Sequence, residues 1–142
     1  MKDKVDKVLG YALVIMLAVM TLDVLWGVFT RYVMSNQASW SEELARFLLI
    51  WIGILGAAYA SGQRLHLSID LLNNKPVRLI AVLIILFAFG VLVLGGSRLV
   101  LLTAELGQRS PALGIPMSLI YSVVPISGLL IIYYRLSDFK AT

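Results

Sequence analysis

The sequence predicts an all-α membrane protein: four transmembrane helices forming a single integral membrane domain over residues 1–142, with both termini cytoplasmic. Three observations carry this reading. Of the 142 residues, 60% are hydrophobic and only 14% are charged, against about 45–50% and about 25% in soluble globular chains. The apolar residues gather into four blocks, each long enough to cross roughly 30 Å of hydrocarbon. Lys and Arg are spread unevenly among the connections, as in proteins with a fixed orientation in the bilayer. This composition excludes a water-soluble enzyme domain and a disordered chain, which needs low hydrophobicity. The absence of Cys excludes disulfides, thiolate–zinc sites, iron–sulfur clusters and thiol catalysis. The net charge of +4 fits membrane-flanking cations, and no nucleic-acid partner is expected.

The first block runs from about Val8 to Tyr32 and holds one charge, Asp23. Lys2, Lys4 and Lys7 precede it, interspersed with Asp3 and Asp6. The run is too long for a signal-peptide core of about 7–15 residues, and no small-x-small cleavage site closes it, so it reads as a retained span. The second block, about Leu44 to Gly62, is introduced by Ser39-Trp40-Ser41-Glu42-Glu43-Leu44-Ala45-Arg46. Ser39 with Glu42 matches a capping box, which satisfies orphan amides at a helix start. Glu42, Glu43 and Arg46 share one face at i,i+3 and i,i+4 spacing, and Trp40 suits the aromatic belt at the membrane surface. Inside the block, Gly53, Ala57 and Ser61 form one row of small residues, with Gly56 and Ala60 in a parallel row. Such ridges let helices approach closely in lipid. Gly53, Gly56, Ala57 and Ala60 are therefore expected to make this helix the central packing element.

The connection Gln63–Leu72 places Leu65, Ile69 and Leu72 on one helical face, which predicts a short interfacial amphipathic helix between the second and third spans. His66 and Asp70 would stack on it at i,i+4. A lone His without Cys provides neither bis-His haem ligation nor a conventional metal site. The third block, about Val77 to Ala104, has Arg78 at its edge and Arg98 inside. Arg109–Pro116 is a stiff re-entry turn, with φ fixed at Pro111 and Pro116. The fourth block, about Met117 to Tyr134, carries no charge. Within it Pro125 denies a hydrogen bond to the Tyr121 carbonyl and predicts a kink, with Ser127 and Gly128 loosening the next turn.

Orientation follows from the cations. Lys2, Lys4, Lys7, Arg64, Lys75, Arg78, Arg135 and Lys140 fall on one side, and Arg31, Arg46, Arg98 and Arg109 on the other. The richer side is cytoplasmic.

An acid inside a span is by default a functional hypothesis. At about 1.5 Å per residue Asp23 lies some 22 Å above the inner edge of the first helix, with Arg98 about 6 Å higher on the third. Three readings stand: a buried Asp23–Arg98 pair, a counter-charge supplied by a partner subunit, and a proton- or ion-carrying carboxylate.

A set of residues then resembles a known family. Arg31-Tyr32, Trp40 with Glu42-Glu43 and Arg46, Trp51 with Gly56-Ala57-Ala58, His66 with Asp70, and Leu113-Gly114-Ile115-Pro116 through Tyr121 to Pro125 occur in order over nearly the whole chain. Together they resemble the small, DctQ-type membrane subunit of tripartite ATP-independent periplasmic (TRAP) transporters. Asp23 and Arg98 have no assigned place in that pattern. The resemblance implies a multi-pass protein of a bacterial or archaeal cytoplasmic membrane that is not an enzyme. Its implied partners are a large, M-type membrane subunit, a periplasmic substrate-binding protein and lipids. The large subunit would carry organic anions (carboxylates, sialic acid or sulfonates) with sodium in an elevator-like movement. The small subunit would pair with and stabilise it, hold no cofactor, and leave sodium to the large subunit. Trp40, Glu42, Glu43 and Arg46 at one membrane edge, with Arg64, His66 and Asp70 at the other, are the implied interface. None would be catalytic.

Two other classes share features with the chain. A stand-alone proton-coupled exporter has four spans and an acid in the first, as Asp23 would supply, but dual-topology dimers need a near-zero cation bias. A haem- or quinone-binding membrane anchor of a respiratory enzyme would need more than one His for bis-His haem ligation.

Overall fold

The computed structural model describes residues 2–36, 38–63 and 75–139. Its elements are α1 (Lys2–Tyr32), α2 (Ser39–Gln63), α3 (Lys75–Phe87), a π-helical stretch (Ala88–Gly95), α4 (Gly96–Glu105), α5 (Met117–Tyr121) and α6 (Val123–Phe139). α3, the π-helical stretch and α4 follow one another without a gap and form the third span, and α5 with α6 forms the fourth. Four helices are long and apolar enough to cross a membrane: Lys4–Tyr32, Ser39–Gln63, Leu79–Glu105 and Met117–Ser137. Among the described residues there is no strand. Hydrocarbon offers no partner for backbone amides, so a chain of this composition must close its own ladder within each segment. The expected interfacial helix lies at 64–74, outside the described residues.

The spans pack in a row. α1 lies on α2, α2 on α6, and α6 on the third span, while α1 and the third span share no comparable contact. On α2, Ser41 and Tyr59 face α1, whereas Trp51 and Gly62 face the fourth span. At 100° per residue these two directions are about 60–80° apart. The opposite side of α2, with Arg46, Leu49, Gly53 and Ala57, is left exposed. The buried core is correspondingly thin, centred on Leu9, Leu55, Val123 and Tyr134. In the most apolar window of any span, at most 28% of residues are buried within the chain. Most of the apolar surface therefore faces lipid or another protein.

Close approaches fix the row. A side chain at Gly62 would begin 2.9 Å from the Tyr134 ring, which is wholly buried. One at Gly128 would meet Leu92 Cβ at 2.8 Å, and one at Gly96 would meet Pro125 Cδ at 3.0 Å. Gly128 thus seats the third span against α6 and does not serve to loosen a turn, while Ser127 returns its hydroxyl to the Val124 carbonyl at 2.7 Å. The interruption expected from Pro125 appears at Ser122, where α5 ends and α6 begins.

The expected packing ridge on α2 is misplaced. Added side chains at Gly53 and Gly56 meet nothing within 4 Å, Ala57 is exposed and Ala60 is half-buried. Leu55, Ala58 and Gly62 make the contacts instead. The two sets alternate along one helix and point to different sides of it, a choice that residue size alone does not make.

Candidate partner interface

The helix entry of α2 is tied to the turn between the third and fourth spans. Glu43 is buried, and its Oε2 accepts the backbone N–H of Ala112 at 2.9 Å and of Leu113 at 2.8 Å. The turn presents these amides because it folds on itself. Ser110 N–H bonds the Ile115 carbonyl at 2.9 Å, Gly114 N–H bonds Ser110 at 3.0 Å, and Met117 N–H bonds Gln108 at 2.9 Å. Gly114 adopts φ 66°, a left-handed conformation that costs glycine little. Arg109 donates from Nη1 to the Gly114 carbonyl at 3.4 Å. Hydrogen bonds to a carboxylate are about twice as strong as neutral ones, so Glu43 pins the turn to the second span.

Three further bonds hold α2, one of them from Arg135 Nη2 to the Ser61 hydroxyl oxygen at 3.4 Å. Trp51 donates its indole N–H to the Ile120 carbonyl at 3.1 Å, beside the helix interruption at Ser122. Ser41 donates its hydroxyl to the Asp23 backbone carbonyl at 3.0 Å, where Gly27 leaves room for it. Neither the Ser41 bond nor the Trp51 bond is marked in the sequence. Each partner lies 18 to 69 residues away, and a hydroxyl or indole carries no sequence signal for a distant carbonyl.

The proposed interface residues separate into two groups. Trp40, Glu42 and Arg46 are exposed. Glu43 points inward to the turn, so its carboxylate is already engaged within the chain. The Ser39–Glu42 capping box is not formed: α2 already includes Ser39, and the first bond of the entry runs from Ser41 N–H to the Ala38 carbonyl at 3.0 Å. Arg46 has no hydrogen-bond or ion-pair partner among the described residues and shares the open face of α2 with Leu49, Gly53 and Ala57. Arg64, His66 and Asp70 lie outside the described residues.

The expected Asp23–Arg98 pair is not formed. Asp23 is buried and neither carboxylate oxygen has a hydrogen-bond partner among the described residues. Arg98 is exposed on the third span, which packs on the fourth span and not on α1. Matching depth was necessary for the pair, but adjacency was also required, and the row order denies it. Among the described residues no three His, Cys, Asp or Glu side chains gather as a metal site would require.

Comparison with known proteins places this geometry. Residues 20–140 match the family described as "Tripartite ATP-independent periplasmic transporters, DctQ component". The chain is 29% identical over 127 residues to the sialic acid TRAP transporter small permease protein SiaQ of Vibrio cholerae, covering 85% of this chain and 70% of that one. It is 32% identical over 101 residues to the C4-dicarboxylate TRAP transporter small permease protein DctQ of Rhodobacter capsulatus, covering 66% and 44%. It is also 34% identical over 97 residues to the isethionate TRAP transporter permease protein DctMQ of Oleidesulfovibrio alaskensis. That stretch is 63% of this chain but only 15% of the relative.

Proposed function

The chain belongs to the DctQ component family of TRAP transporters, and on that premise we propose that it pairs with a large membrane subunit and stabilises it for sodium-coupled, binding-protein-dependent uptake of an organic anion. It is a multi-pass membrane protein and a transporter subunit, not an enzyme. The observation that carries the pairing is the open row. At most 28% of any span's most apolar window is buried within the chain, and one face of α2 offers Arg46, Leu49, Gly53 and Ala57 to a neighbour. Small residues on a lipid-facing helix favour packing against another helix, because van der Waals contact drives association in the bilayer.

The relative in which a similar stretch is 15% of a longer permease supports a large membrane partner. Organic anions as the cargo class rest on the relatives named for sialic acid, C4-dicarboxylates and isethionate. Substrate and sodium would be held by the large subunit, and delivery would fall to a periplasmic binding protein. The chain itself would hold no cofactor. The cation bias between the two ends supports a cytoplasmic-membrane orientation with both termini inside. Trp40, Glu42 and Arg46 would meet the partner at the opposite end, with Arg64, His66 and Asp70 serving near the termini.

Co-purification from native membranes tests the proposal. A large multi-span membrane protein is expected to accompany the tagged chain at about one to one. The substitutions Arg46→Glu and Ala57→Leu should release it while the chain stays folded. Recovery of the chain alone from mild detergent, or retention of the partner by both variants, would contradict the pairing.

A further inference from the structure

From Leu79 to Glu105 the buried residues of the third span are Ala81, Ala88, Gly96 and Thr103, at intervals of seven, eight and seven. Seven residues bring an α-helix back to within about 20° of the same face, whereas eight overshoot it by about 80°. The eighth residue is taken up by the π-helical stretch Ala88–Gly95, whose wider i→i+5 turns hold more residues. The stretch is thus a one-residue insertion that keeps α4, the outer half of the span, in phase with the inner half along the fourth span. We propose that it is also a conformational switch, because α4 has a second, all-α register. In that register each residue of Gly95–Ala104 takes the place its successor holds in this structure, which restores the seven-residue interval throughout.

Packing allows the shift in the outer half and forbids it in the inner one. The tightest place is held by Gly96, where a Cβ would lie 2.9 Å from Val124 Cγ1 and 3.0 Å from Pro125 Cδ. Its predecessor is also a glycine, so Gly95 enters that place without a clash. In the next buried place Leu102 replaces Thr103, whose hydroxyl bonds only the Leu99 and Val100 carbonyls of its own helix. Moving the inner half instead would put Phe89 in the place of Ala88, which is 1% exposed and lies against Gly128. At the junction the ladder already stands between the two forms. Gly96 N–H is directed at the carbonyls of Val91, Leu92 and Val93, so i→i+5 and i→i+4 acceptors compete for one donor. Beyond α4, Gly107 at φ 58° and the exposed residues 106–109 take up the rotation before the turn that Glu43 holds. The switch carries Arg98, exposed and without a partner among the described residues, about 100° around the span to the place of Leu99.

Cysteine labelling of the purified full-length chain tests the switch, since the chain has no native Cys. Leu102 and Thr103 lie within one turn of Glu105, the last residue of α4, within reach of a water-borne methanethiosulfonate. In the parent chain Leu102→Cys should react fast and Thr103→Cys slowly, through the second register. Gly95→Ala denies that register its glycine and should slow Thr103→Cys about tenfold or more, as overpacking one close contact does. Gly90→Ala gains the same helix propensity in open space and should leave that rate unchanged. Gly96→Ala crowds the register of this structure and should exchange the Leu102→Cys and Thr103→Cys rates. A folded Gly96→Ala variant that keeps both rates would overturn the proposal. So would Gly95→Ala if Thr103→Cys then reacts as in the parent, or slows no more than with Gly90→Ala, a result that decides even where Gly96→Ala does not fold.

Discussion

Glu43 and Asp23 are the two buried acids among the described residues, each 7% exposed, and the structure treats them oppositely. Glu43 receives two backbone amides at 2.8 and 2.9 Å. Asp23 receives none at either oxygen, although Ser41, two residues from Glu43, bonds its backbone carbonyl. Equal burial therefore says little about the role of an acid in a membrane protein. The number of donors aimed at it decides whether it holds the fold together or burdens it.

The comparison breaks most readily at Glu43. Glu43→Ala removes two charge-assisted bonds and leaves two amides without an acceptor, a loss of about 2–4 kcal/mol. Thermal unfolding in detergent should show it, with faster hydrogen exchange at Ala112 and Leu113. A Glu43→Gln variant keeps an acceptor and should lose less. Asp23 sharpens the contrast by changing the sign. Asp23→Leu removes an unpartnered buried acid from the α1–α2 seam and should leave the isolated chain as stable or raise it by about 1–2 kcal/mol. Destabilisation by a similar amount would mean that the carboxyl group has a partner in the folded chain. Trp51→Phe deletes one neutral bond to the Ile120 carbonyl and should cost about 1 kcal/mol in the same unfolding measurement. Arg46→Gln comes last: on the open face of α2 it should change the stability of the isolated chain by less than about 0.5 kcal/mol. Its effect should appear only as weaker retention of the partner.

The four spans were legible because hydropathy and length determine what a bilayer accepts. The expected second span, about Leu44 to Gly62, falls within α2. The helix extends outward to Ser39 and Gln63, because polar residues at membrane edges continue a helix that apolar counting stops. The interruption near Pro125 was legible from the missing amide. The packing order was not. Gly53, Gly56, Ala57 and Ala60 have the composition of a contact ridge, yet Ala58 and Gly62 carry the contact within the chain. Small residues mark where a helix can be approached without saying by which neighbour. The Asp23–Arg98 expectation failed for a related reason, since depth is readable from residue count and adjacency is not. Glu43 was singled out for its charge and spacing, but its acceptor role depends on a turn 69 residues away, shaped by Gly114 and two prolines.

On the proposed pairing, this chain is a partner in transport and carries none by itself. Reconstitution into liposomes tests it directly, with a sodium gradient, a radiolabelled organic anion and its binding protein, first with the purified chain alone and then with the co-purified large subunit. No uptake is expected from the chain alone, and sodium-dependent uptake once the large subunit is present. Gradient-driven uptake by the chain alone would contradict it.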